Sequence, residues 1–319
     1  MSEFQVSVRV VLLVAVTVML IASPNAGAAP TFSDWSAPVN LGPVVNSAFL
    51  EQGPAISKDG RSLFFAAGAG RGGFGLQDLW VSQRASEDDA WGTPVNLGPT
   101  VNTAALETVP ALSRDEHWMF FNSDRPGGFG LADLWASYRE HVHDDFDWET
   151  PVNLGAGVNS AFLDQGAGYF ENDDCDDDED RDDCAAHLYF NSNRPGGAGA
   201  LDIYVSAQMP DGSWGAAELV TELSGPDNDQ RPIIRFDGLE LFLWSNRPGG
   251  FGDADIWVST RDAVSDPWGA PVNLGPTVNG PYLDAQGYLS SDRRTLYLAS
   301  NRPGGLGGLD LYVTTRTRA

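Results

Sequence analysis

The sequence predicts an all-β fold, a five-bladed β-propeller of four-stranded antiparallel blades, and three observations predict it. A stretch such as Ser192-Asn193-Arg194-Pro195-Gly196-Gly197, leading to Asp202-Ile203-Tyr204-Val205-Ser206, occurs five times in 319 residues. Self-similarity at a fixed period marks a repeat architecture. Each copy splits into four short apolar segments punctuated by Gly, Pro, Asn and Asp, the pattern of strands joined by turns. The first segment of the chain and the last belong to different phases of the repeat, so the first strand is free to complete the last blade and leave no open edge.

The elements follow in order. Repeats start near Trp35, Trp91, Trp148, Trp214 and Trp268. In the first, Trp35 to Gly42 is the outermost strand, D, of the preceding blade. A turn around Val45-Asn46-Ser47 and the acid Glu51 precede a short strand A at Pro54 to Ser57. Lys58-Asp59-Gly60 closes an A–B hairpin, because Asp-Gly tolerates the positive φ of a two-residue loop. Leu63 to Phe65 is strand B. The glycine-rich loop Gly68 to Gly75 joins it to strand C, Asp78 to Gln83. In the third repeat the acidic segment 171–184 replaces the A–B turn. A run of like charge reads as a solvated projection.

Composition bounds the function. Hydrophobic residues are 42 %, enough for a packed core. The net charge of -25 disfavours a nucleic-acid partner, whose phosphates need a basic footprint. Residues 1–28 read as a signal peptide, with the apolar run Val10 to Ala22 and the small-residue site Ala26-Gly27-Ala28. The expected mature chain, 29–319, is then a periplasmic or secreted monomer. In such a compartment Cys175 and Cys184 are placed to form one local disulfide.

Three charged positions recur in register. The acid ahead of strand A is Glu51, Glu107, Asp164, Asp229 or Asp284. The arginine of the glycine-rich loop is Arg71, Arg125, Arg194, Arg247 or Arg302. The acid opening strand C is Asp78, Asp133, Asp202, Asp255 or Asp310. All belong to D–A or B–C connections, which share one face of a propeller. A residue present in every blade solves a problem every blade has, so the arginines and strand C acids read as structural ties. The five acids ahead of strand A, facing a channel mouth, carry an alternative reading as catalytic carboxylates. A carboxylate ring also suits a cation, for which calcium with its oxygen ligands is the natural choice.

Blade 4 departs from the repeat at Asp227-Asn228-Asp229-Gln230-Arg231, which adds an acid and an arginine. Asp227, Asp229 and Arg231, with the loop-tip aromatics Phe74, Phe129 and Phe251, are the candidate binding patch. Other chemistry is missing from the sequence. There is no Gly-x-Ser-x-Gly elbow and no Gly-Lys-Ser/Thr phosphate loop, and His141 and His143 have no metal-ligand spacing with other ligands. No cofactor motif is present.

The pattern Val-Asn-Ser-x-x-x-Asp/Glu, Ser-x-Asp-Gly-x-x-Leu-Phe, Ser-Asn-Arg-Pro-Gly-Gly-x-Gly-x-x-Asp-Ile-Tyr-Val-Ser covers almost all of residues 35–316. It resembles the WD40-like repeat of the periplasmic propeller TolB and of propellers fused to OmpA-type domains. That resemblance implies an envelope propeller, a fold that serves as docking surface, sensor or enzyme. The expectation that follows is non-catalytic binding of an envelope protein, peptide or glycan on the D–A/B–C face. The alternative is a glycosidase-like hydrolase using carboxylates at the channel mouth.

Overall fold

The computed structural model describes residues 32–172 and 185–318. The signal segment 1–28 and the pair Cys175 and Cys184 lie outside the described residues. Five four-stranded antiparallel sheets form a ring. Blade 1 is β2 (Glu51–Ile56), β3 (Ser62–Gly68), β4 (Gln77–Gln83) and β5 (Val95–Asn96). Blade 2 is β6 (Glu107–Leu112), β7 (Trp118–Ser123), β8 (Asp133–Tyr138) and β9 (Val152–Asn153). Blade 3 is β10 (Asp164–Phe170), β11 (His187–Ser192), β12 (Asp202–Ala207) and β13 (Glu218–Leu219). Blade 4 is β14 (Asp229–Ile234), β15 (Glu240–Ser245), β16 (Asp255–Thr260) and β17 (Val272–Asn273). Blade 5 is β18 (Asp284–Leu289), β19 (Thr295–Ser300) and β20 (Asp310–Thr315), completed by β1 (Val39–Asn40) from the start of the chain. The seam is a short ladder, Val39 opposite Val313 and Asn40 opposite Tyr312.

Strand D is far shorter than Trp35 to Gly42. Only two residues per blade join the ladder. The Asn that ends it turns its amide back on the chain: Asn40 Oδ1 accepts from the Gly42 N–H at 2.7 Å and from Asn46 Nδ2 at 2.9 Å. Such Asx capping stops a strand by satisfying the backbone locally. Conversely, the acid expected ahead of strand A is its first residue.

Buried apolar clusters lie between neighbouring blades. Phe64 and Val81 of blade 1 meet Met119, Phe121 and Trp148 of blade 2, and Tyr189 of blade 3 meets Leu243 and Trp268 of blade 4. Each B–C loop also latches onto the D–A connection of the next blade. Leu76, Leu131, Ala200, Asp253 and Gly308 donate their N–H to the carbonyls of Ala105, Phe162, Asp227, Tyr282 and Phe49, at 3.0–3.3 Å. The latch explains the third glycine of the loop motif. A Cβ at Gly75 would sit 2.1 Å from the Ala105 carbonyl oxygen, and one at Gly307 would sit 1.6 Å from that of Phe49.

Every inner strand carries a bulge at its third residue, where the backbone is left-handed: Gly53, Val109, Gly166, Arg231 and Gln286 have φ of 64, 54, 68, 48 and 57°. These five residues ring the axis. Among the described residues no helix is long and apolar enough to cross a membrane.

Candidate functional site

The D–A/B–C face is built on repeated ties. Arg71 bonds Glu51 at 2.7 Å, Arg125 bonds Glu107 at 3.0 Å and Arg194 bonds Asp164 at 2.5 Å. Arg247 pairs with Asp229 and Arg302 with Asp284 in the same way. Each arginine also donates to a carbonyl of the D–A connection, that of Val45, Val101, Val158, Leu223 or Val278. All five acids are completely buried. Their remaining lone pairs are filled locally, as when Glu51 takes the Ser47 N–H and hydroxyl. Each of the five, read from the sequence as an alternative catalytic carboxylate, is thus placed in a buried ion pair with its loop arginine. Among the described residues no group of three or more His, Cys, Asp or Glu is placed to hold a metal ion.

The strand C acids close the glycine-rich loops. Asp78 accepts from the N–H of Gly75 at 3.0 Å and from Asn96 Nδ2 at 2.9 Å, and Asp133, Asp255 and Asp310 use Asn153, Asn273 and Asn40 likewise. Blade 3 has Leu219 in that Asn position. Asp202 therefore has no such amide donor, and burial pushes its carboxyl above the usual carboxylate range.

The blade 4 patch is not one site. Asp229 is locked to Arg247, while Asp227 is half-buried and lends its carbonyl to the latch from Ala200. Arg231 turns inward and is 2 % exposed. Its Nη2 reaches the carbonyls of Pro54 in blade 1 and Pro110 in blade 2, at 2.6 and 3.3 Å, and Nη1 that of Gln286 in blade 5 at 3.0 Å. Its N–H donates to Asn191 of blade 3 at 3.0 Å. One residue of blade 4 thus touches every other blade and fills the axis. Burial pulls its guanidinium down to about 9, still charged at neutral pH. Phe74, Phe129 and Phe251 stand exposed on the loop tips, apart from this residue.

The concentrated break in the repeat is elsewhere, on the hairpin face of blade 2. Four A–B turns place a left-handed residue at one position: Gly60 and Gly238 at φ 70°, Glu116 at 65° and Arg293 at 67°. A glutamate there is strained where glycine is not. The Glu116 carboxyl leans on blade 1 and accepts the Lys58 N–H at 2.6 Å. It lines a cleft of about 440 Å³ with Ser57, Asp59, Arg61, His143 and Asp145, among others. Burial raises its pKa, and the nearby Asp59 and Asp145 add to the rise against the pull of the Lys58 N–H and Arg139.

Asp145 differs in environment. It is bound to Arg139 at 2.9 Å and accepts from the Ser62 hydroxyl and from Gln83 Nε2. Asp59 holds the turn through Ser57 and the Arg61 N–H, with its side chain half exposed. Two neighbouring openings lack this asymmetry. The hairpin end of the axis is a recess of about 30 Å³, room for one water rather than a sugar. A cleft of about 260 Å³ between blades 5 and 1 contains Asp292, whose pKa is lowered against its partial burial by Ser290 and Arg294.

A second arginine series escaped the sequence reading. Arg84, Arg139, Arg261 and Arg316 directly follow strand C, donate Nε to the A–B turn carbonyls of Gly60, Glu116, Gly238 and Arg293, and lie 4.2–4.5 Å over Trp91, Trp148, Trp268 and Trp35. The signal was present for three of them, Arg84, Arg139 and Arg261 standing a few residues before Trp91, Trp148 and Trp268, whereas Arg316 meets Trp35 only through closure of the ring. Blade 3 has Gln208 instead.

No family model and no curated protein matches the chain. Solved structures do. The chain is similar to the catalytic domain of a GH62 alpha-L-arabinofuranosidase from Coprinopsis cinerea at TM-score 0.55 and 14 % identity, covering 91 % of this chain and 98 % of that one. It is similar to an alpha-L-arabinofuranosidase from Lactobacillus brevis at TM-score 0.58 and 12 % identity, covering 86 % and 91 %. A GH62 hydrolase in complex with xylotriose superposes at 0.56 and 13 %, covering 88 % and 97 %. At such identities the likeness establishes the propeller fold. It also corrects the resemblance to TolB and WD40-like proteins, because the propellers matched are glycoside hydrolases. The expectation of a non-catalytic binding propeller is corrected on the same finding, since the solved propellers matched are hydrolases.

Proposed function

We propose that the protein hydrolyses glycosidic bonds in the cleft between blades 1 and 2, with Glu116 as proton donor and Asp59 as the facing carboxylate. The observation that carries this reading is Glu116 itself. It sits strained in a glycine position, with a raised pKa, against a cleft that holds further carboxylates. Asp202 is the other carboxyl raised among the described residues, but it is 1 % exposed and its oxygens serve the Gly199 N–H.

Glycoside hydrolysis needs a carboxyl that keeps its proton and a carboxylate that does not. Glu116 gives its proton to the leaving-group oxygen as the bond from that oxygen to the anomeric carbon breaks. Asp59 takes a proton from the water that adds to that carbon, and proton exchange with solvent resets both groups. Asp145, saturated by Arg139, Ser62 and Gln83, holds blade 1 against blade 2 and keeps the cleft in shape. Arg61 and His143 line the cleft as donors for sugar hydroxyls. The glycoside hydrolases among the similar structures, one of them solved with xylotriose, support the substrate class.

The test is a panel of aryl glycosides and of xylose- and arabinose-based oligosaccharides. The wild-type chain should release sugar, and Glu116→Gln should lower kcat by about 100-fold or more. Asp59→Asn should do likewise. Because the Glu116 pKa is raised, the alkaline fall in rate should lie above the usual glutamate range. No turnover by the wild type, or undiminished turnover by Glu116→Gln, would sink the proposal.

A further inference from the structure

Among the described residues Trp118 is the one exposed tryptophan, at 37 %, and it lies two residues beyond Glu116. It opens β7 opposite Tyr138, the last residue of β8. The two rings meet edge to face at 5.1 Å, and His117 stacks on Tyr138 at 5.5 Å with planes 13° apart. His117 is oriented by the Arg139 carbonyl at 2.7 Å. The same cross-strand position holds Ser62 and Gln83, His187 and Ala207, Glu240 and Thr260, and Thr295 and Thr315 in the other blades. An aromatic ladder is therefore peculiar to the blade that carries Glu116. Packing does not account for it, since an interior aromatic would be covered.

We infer that Trp118 and Tyr138 form a stacking subsite for a further sugar unit, so that the substrate is an uncharged oligo- or polysaccharide rather than a small glycoside. The inference rests on the hydrolase reading of the Glu116 cleft. Phe120, which alternation places on the same side of β7 as Trp118, stacks on Tyr169 of blade 3 at 5.5 Å. The ladder thus faces blade 3 while the cleft faces blade 1, and a bound chain crosses the tip of the blade 2 hairpin between them. The flat, weakly polar faces of a pyranose suit an aromatic ring, and its hydroxyls suit the polar cleft. Asp115, Glu140 and Asp144 flank this tip, and the whole chain is at -25, so anionic glycans are repelled.

The experiment measures KM against chain length for wild type, Trp118→Ala and Trp118→Phe, and binding of the same neutral oligosaccharides to Glu116→Gln by calorimetry. Thermal melting of each variant checks the fold. Trp118→Ala should raise KM for a pentamer about tenfold, and the penalty should shrink as the substrate shortens. Trp118→Phe should recover most of the loss. A penalty independent of chain length would overturn the subsite while leaving the hydrolase reading intact. Length-dependent binding to Glu116→Gln that vanishes in Glu116→Gln/Trp118→Ala, with no turnover by wild type, would overturn the hydrolase reading alone. No binding at any length would overturn both.

Discussion

At the scale of single residues, position within a strand decides what a charge is for. Arg231 stands out in the sequence as an addition to blade 4 and reads there as part of a binding patch. The third residue of every inner strand points at the axis, so the guanidinium turns away from solvent and is held by three backbone carbonyls. Arg231→Met should destabilise the fold by about 2–4 kcal/mol, because those carbonyls lose a donor in a buried setting. Urea unfolding measures this, and an unchanged midpoint would deny Arg231 its linking role. The regular arginines were more legible. Their spacing from the acids ahead of strand A and their presence in all five repeats pointed to ties within the loops. That Asp202 lacks the asparagine side-chain donor of the other blades follows from Leu219 in an Asn position, visible only once the register of β13 is known.

At the scale of elements, the A–B turns show why the fold was easier to read than the site. Ser-x-Asp-Gly announces a hairpin, and the ladder of β2 and β3 forms around it. Glu116 in place of the glycine looks like drift in a repeat. Its meaning comes from non-local packing: the carboxyl leans on blade 1, and the two residues by which the loop from Arg139 to Trp148 outruns its counterpart from Arg84 to Trp91 bring in Val142, His143 and Asp145. No local pattern encodes that approach. The turn gives a prediction that separates stability from activity. Glu116→Gly relieves a left-handed strain and should stabilise the protein by about 1 kcal/mol while abolishing glycoside turnover. Calorimetry and an activity assay on one preparation test both halves. A destabilised variant would mean that the glutamate is kept for packing.

At the scale of the whole molecule, closure depends on a two-residue ladder and on Trp35, which packs against Phe242 and under Arg316. A chain started at Gly42 should lose roughly 4 kcal/mol and melt about 10 °C lower, and should self-associate through the uncovered edge of β20. Scanning calorimetry and light scattering measure these changes, and an unaltered melt would mean that the seam is dispensable. The axial guanidinium has a different consequence. With the hub stoppered, the bore is a dead end from either rim, and no solute travels through it. A reagent grafted onto the loop tips at Phe74 or Phe251 should therefore leave the opposite rim's chemistry untouched, so the two rims can be immobilised, labelled or inhibited one at a time.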